Sequence, residues 1–193
     1  YKYTVEPDLD TLFNLLNSIH SLNDRLETSQ NANFYDSEEF IALKALRNLF
    51  HHQEELLNRL LIIPFEKLPQ LMTDMLYACL VPASLVELSI EGIPKKFKAK
   101  EEVTIRKVLH WYHDVVNINP CVFNFAVHIY EMLSSLGVEL KSEEFLLFQD
   151  SYLDEQSHGH DHYIDGKIYV GAGSVSEILS IAYNRNCITK QSR

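Results

Sequence analysis

The chain has 193 residues, a net charge of −10 and a 46% hydrophobic fraction. That is enough apolar material for one packed globular unit and too much for a disordered chain. The acidic balance excludes a generally basic nucleic-acid-binding surface while leaving room for a local basic patch, and no apolar run approaches the ~18 residues a membrane span needs. Cys79, Cys121 and Cys187 are odd in number, far apart and without metal-ligand spacing. They read as reduced, mostly buried thiols, which makes the cytoplasm the expected location.

From Asp8 to Thr28, Leu9, Leu12, Phe13, Leu16, Ile19, Leu22 and Leu26 recur at helical spacing just after Pro7, predicting an amphipathic helix. His20 has no partner in sequence and reads as structural. Ser29 to Phe34 is a polar loop. Asp36 then reads as the N-cap of one long helix, Ser37 to Ile63, with Glu39 closing a capping box and Pro64 ending it. Leu43, Leu46, Phe50, Leu57 and Leu60 form its buried stripe, and Ala42, Ala45, Leu49, His52, Leu56 and Ile63 adjoin it. Lys44, Arg47 and His51 lie on the polar side, leaving His52 at an apolar edge. The first two helices should pair as an αα-hairpin with the second largely enclosed.

Phe65 to Leu80 reads as a third helix and Pro82 to Pro94 as a short helix with turns. Lys95, Lys96, Lys98 and Lys100, interleaved with Phe97, are the only concentration of positive charge. They suit a grip on a phosphate backbone, or equally a solvated connector before a helix. Glu101 to Val116 has an apolar helical face; His110, His113 and Asp114 would then lie within one turn, as metal ligands or as a histidine held by a carboxylate. Pro120 opens a helix that stops at Gly137, and Ser142 to Tyr152 is a further helix with Glu143 and Glu144 in its first turn.

The last quarter changes character. His158, His160 and His162 alternate in a polar, turn-rich stretch. Alternate histidines could serve a first-row metal, but a mobile loop fits the composition better, and without cysteine support a structural zinc site is not expected. Lys167 to Val170 reads as a short strand, and Ser174 with Glu177 caps a last helix from Val175 to Asn184 behind Gly171-Ala172-Gly173. The expected fold is all-α: an antiparallel helical bundle over residues 1–137 and a short C-terminal helical extension over 138–193 packed on it. The extension leaves room for a small β-hairpin, and the two parts should make one globular unit.

Arg47-Asn48-Leu49-Phe50-His51-His52 resembles the signature of the HEPN superfamily: an arginine, a polar residue, three further residues and a histidine, carried on a helix of an all-α domain. A scrambled chain of this composition gives about 0.05 such matches. The resemblance implies a HEPN-like bundle and a metal-independent endoribonuclease that needs no cofactor, forms homodimers, and works in toxin–antitoxin, antiphage or stress systems. Its partners would be RNA and a cognate antitoxin or regulatory protein. Carried over, His52 would be the general acid or base, Arg47 would stabilise charge on phosphoryl oxygens, and Asn48 would orient these groups. His51, outside the minimal motif, is a second acid–base candidate; Lys95, Lys96, Lys98 and Lys100 are candidates for weak RNA binding. Five residues along a helix rotate two side chains about 140° apart and separate them by about 7.5 Å. Arg47 and His52 therefore cannot pair tightly on one straight helix, whereas a site shared by two chains removes the difficulty. The competing expectation is a non-catalytic helical interaction or regulatory protein, an inactive relative of the same superfamily.

Overall fold

The computed structural model describes residues 9–52, 59–64 and 75–167, together with Ser180. Along the chain run α1 (Leu9–Gln30), α2 (Glu38–His52), β1 (Arg59–Pro64), β2 (Met75–Pro82), α3 (Ala83–Glu91), α4 (Lys95–Val108), β3 (His110–Tyr112), β4 (Val115–Asn117), α5 (Asn119–Ser135) and α6 (Glu143–His158). The protein is mostly helical, as its periodicity predicts. It is not purely so: a four-stranded antiparallel sheet of order β1-β2-β4-β3 joins the helices.

The αα-hairpin forms as expected. Phe13 meets Phe50, Asn17 meets Arg47 and His20 meets Phe40, so the two helices run in opposite directions. Leu12, Leu16, Ile19 and Leu26 bury the inner stripe of α1. Asn31, at φ 53, follows its end in the left-handed conformation that asparagine tolerates. In the loop, the amide of Phe34 donates 2.8 Å to the buried Asn23 side chain, which pins Phe34 in the core. Ser37, rather than Asp36, caps α2. Its hydroxyl accepts from the Phe40 amide at 3.2 Å, and a helix beginning at Glu38 puts Ser37 at the reach a cap requires. Phe40, Ala42, Leu43 and Leu46 are fully buried, because α2 packs against α1, α3, α4 and α5. Of these, Phe40, Leu43 and Leu46 each contribute roughly 1.5–3 kcal/mol through their burial.

Strands replace helix in three stretches. α2 stops at His52 instead of reaching Ile63, and Arg59–Pro64 pairs with β2 in the register Leu60↔Cys79 and Ile63↔Leu76. A short continuous apolar run suits a buried strand as well as a helix, and its β-branched Ile62 and Ile63 favour the strand. Met75 to Leu80, expected as the end of the third helix, is likewise strand. The intervening portions of those two expected helices, 53–58 and 65–74, lie outside the described residues.

The helix expected from Glu101 to Val116 instead runs from Lys95 to Val108. A hairpin follows, with Trp111 opposite Val116 and His113 at φ 53 in its two-residue turn. Aromatic and β-branched residues on either side of a polar pair are the ingredients of such a hairpin. His110 therefore lies on a strand while His113 and Asp114 form the turn, so the three do not share one helical turn. β4 also pairs with β2 through Val81↔Val116. The buried Asn117 side chain accepts from the Cys79 amide at 3.0 Å and from the Asn119 amide at 3.1 Å. The Asp114 carbonyl accepts from the Ala83 amide at 2.8 Å, tying the turn to the start of α3.

Pro120 lies in the first turn of α5, and Gly137, at φ 67, follows its end, as expected. Phe34, Phe40 and Phe125 pack as a triad with ring centroids 5.0 to 6.0 Å apart, joining the inter-helix loop, α2 and α5. The Ser142 hydroxyl accepts from the Phe145 amide at 3.2 Å and caps α6, which continues past Tyr152 to His158 and ends at Gly159 with φ 71. Phe145, Phe148 and Tyr152 of α6 surround Tyr130 of α5.

From Gly159 to Lys167 the chain returns over α5. The Asn124 side chain exchanges two 2.9 Å hydrogen bonds with the Ile164 backbone, and the Tyr163 hydroxyl donates 2.7 Å to Glu131. Gly166 then meets Pro120 and His110 so closely that a Cβ would lie 2.5 Å from Pro120 Cγ and 2.6 Å from His110 Nε2. The expected strand beyond Lys167, the glycine-rich turn at 171–173, the Ser174–Glu177 cap and the last helix lie outside the described residues.

Candidate functional site

Arg47 leaves α2 on the side facing α1. Its Nε donates to Asn17 Oδ1 at 3.3 Å and its Nη1 to Asn48 Oδ1 at 3.4 Å. Both partners are neutral amides, and no carboxylate among the described residues pairs with this guanidinium. Arg106 makes the contrast. It binds Glu87 through two hydrogen bonds of 2.9 and 2.8 Å and Glu102 through one of 3.0 Å, and the Glu87 carboxyl is held below its ordinary range by that contact. In a chain of net charge −10, an arginine positioned without a carboxylate keeps its charge for another anion.

His51 lies one turn beyond Arg47, exposed, with its ring edge-on to Phe13 at 6.3 Å. The hairpin thus sets Arg47 and His51 along one seam with Asn17 and Phe13. His52 is the last residue of α2, and its side chain lies outside the described ones. Asn48 faces two ways: it holds Arg47 and also lines a cleft of ≈ 190 Å³ between α2, α3 and α4. Leu88, Ile93 and Phe97 give the cleft apolar walls, and Lys44 with Glu101 forms a 3.5 Å ion pair in it.

No family model, curated protein or solved structure matches this chain. The site is therefore read from its own geometry.

Lys95, Lys96, Lys98 and Lys100 occupy the first turns of α4 rather than a connector before it. Phe97 among them walls the cleft on which Asn48 opens, with Lys96 Nζ 4.4 Å from its ring centroid. None of the four lysines forms an ion pair within the described residues. Lys95, Lys96 and Lys98 sit in the first turn, at the positive end of the helix dipole, where cations are disfavoured. An anion brought to this end would relieve both effects.

The three alternate histidines do not act as one group. His158 ends α6 with Nδ1 2.8 Å from the Asp154 carbonyl and stacks with His160 at 5.9 Å. His162 instead lies 2.9 Å from Glu155 and stacks on Tyr152 at 3.6 Å. Among the described residues no three histidine, cysteine, aspartate or glutamate side chains form a metal-binding group. His20 does find a partner, Asp24 at 3.2 Å, one turn along α1.

His110 is half-buried, and desolvation pulls its pKa below 6.5; Lys167 adds to the shift while Asp165 opposes it. Burial pushes the Cys79 thiol up to about 12 and the Cys121 thiol well above its ordinary value, with Glu39 adding to the latter. Both are poor nucleophiles at neutral pH. Asn17 is the site residue that sequence reading misses. Its one signal is a helical offset of four from Phe13, on a flank that pairs with α2 only once the hairpin register is known.

Proposed function

We propose that this protein is a metal-independent endoribonuclease of the HEPN type, working in the cytoplasm within a toxin–antitoxin, antiphage or stress system. The observation that carries the reading is Arg47 itself, held in place by Asn17 and Asn48 with no carboxylate among the described residues to cancel it. Such a guanidinium suits a phosphodiester, whose equatorial oxygens gain charge as the ribose 2′-hydroxyl attacks. His52 would take the hydroxyl proton or protonate the leaving 5′-oxygen; His51 would supply the second of these roles. The products would be a 2′,3′-cyclic phosphate and a 5′-hydroxyl. Two chains pairing beside Arg47 would bring the arginine of one to the histidine of the other, as the helical offset requires. The lysines at the start of α4 would hold the RNA backbone.

The test is cleavage of total RNA by the purified chain in EDTA. Cyclic-phosphate ends are expected, with loss of cleavage in His52→Ala and Arg47→Ala while the circular-dichroism spectrum stays unchanged. A requirement for a divalent ion, or full activity of the His52 variant, sinks the assignment. The second reading, a non-catalytic interaction or regulatory protein with RNA or an antitoxin as partner, draws support from the exposed leucines of α6. It predicts binding without cleavage.

A further inference from the structure

Two apolar strips face solvent, and they carry opposite charge. On α6, which buries no residue completely, Leu147 is 64% exposed, Leu153 48% and Leu146 46%. These leucines sit among Glu143, Asp150 and Asp154, and the helix has no lysine or arginine. On α4, Val103 is 67% exposed and Phe97 46%, among Lys96, Lys100 and Lys107. Val103 and Leu147 are the two most exposed large apolar side chains of the described residues.

The spacings match. Lys96, Lys100, Val103 and Lys107 fall at intervals of four, three and four, one strip along α4. Glu143, Leu147, Asp150 and Asp154 have the same intervals along α6. With the helices laid antiparallel, Lys107 faces Glu143, Val103 faces Leu147, Lys100 faces Asp150 and Lys96 faces Asp154. Each pairing joins opposite charges or two apolar groups, and the helix dipoles oppose as well.

We propose that these strips are a self-association surface, α4 of one chain docking antiparallel on α6 of a second copy. Lys96 and Lys100 have no ion pair among the described residues, so they meet Asp150 and Asp154 without giving one up. Lys107 already binds Glu38 at 2.6 Å and would share itself with Glu143. The contact joins two different surfaces; it closes either by repeating across a two-fold axis or by forming a ring. It uses none of Arg47, Asn48, His51 or His52, but it occupies Lys96 and Lys100, so an associated chain would not offer those two lysines to RNA.

The test is sedimentation velocity of the full chain across the micromolar range, at low salt and at about 0.5 M salt. Association at low salt that weakens at high salt is expected. Asp150→Lys/Asp154→Lys and Lys96→Glu/Lys100→Glu should each weaken it about tenfold or more, an equimolar mixture of the two should restore it, and Leu147→Gln should weaken it with no change of charge. Circular dichroism and melting temperature check that each variant folds. A single-chain mass under all conditions overturns the proposal. So does association indifferent to both reversals, which belongs to another surface, or a mixture of reversed chains that fails to associate.

Discussion

Among the described residues Arg47 is set by two amides rather than by a charge, and this separates its position from its electrostatics. Asn17→Ala leaves the charge in place but frees the guanidinium to turn. On the proposed function, cleavage of an RNA oligonucleotide should fall about tenfold, since geometry is worth that much at a reacting phosphate, while the melting temperature barely moves. Arg47→Lys should lose as much activity as Arg47→Ala, because an ammonium has no planar fork.

His110 gives a pH dependence at the same scale. Its folded pKa lies below 6.5, so on acidification the unfolded chain takes up the proton first. The stability it contributes is complete above about pH 6.5 and is lost as pH falls through the lower folded value. His110→Gln should flatten the decline of melting temperature in that window. Sequence reading reached Arg47 and Asn48 because they adjoin along the chain. It could not reach Asn17, thirty residues away, or the contact of His110 with Gly166, since both depend on which faces meet after folding.

Among the elements, α4 holds a local conflict. Three lysines in its first turn oppose the helix dipole, and that turn carries no acid to compensate them. Lys95→Glu and Lys96→Glu should each stabilise the fold by about 0.3–1 kcal/mol in urea titrations, and on the proposed function each should weaken RNA binding. Stabilisation without loss of binding would remove the lysines from the site. Elsewhere punctuation decided what could be read. α5 and α6 were legible from Pro120, Gly137 and Ser142, residues whose chemistry acts locally. β1 was not, because Leu60-Leu61-Ile62-Ile63 continues the apolar pattern of the preceding helix and fits either period. The hairpin at His110–Asn117 had readable aromatic and β-branched flanks, but a preceding helical pattern masked them.

Taken as a whole, the molecule shields its chemistry unevenly. Cys79 and Cys121 are buried, so native protein treated with iodoacetamide should label neither, and peptide mapping after urea should find both. The same enclosure fixes the position of Asn117. Asn117→Ala should cost about 1–3 kcal/mol in urea unfolding, because it leaves the Cys79 amide buried without an acceptor.

The pairing of β2 with β4 has a consequence in time. Pro82 lies opposite Val115, so that contact closes a loop containing α3, α4 and β3. The two hairpins that flank it close shorter loops. Loop-closure entropy therefore delays the central pairing until the enclosed helices have formed. In a chevron experiment Val116→Ala should mainly accelerate unfolding and barely slow refolding, whereas Leu46→Ala, within the local α1–α2 hairpin, should slow refolding. The sheet would then act as a late latch, its rupture setting the lifetime of the folded chain rather than its speed of assembly.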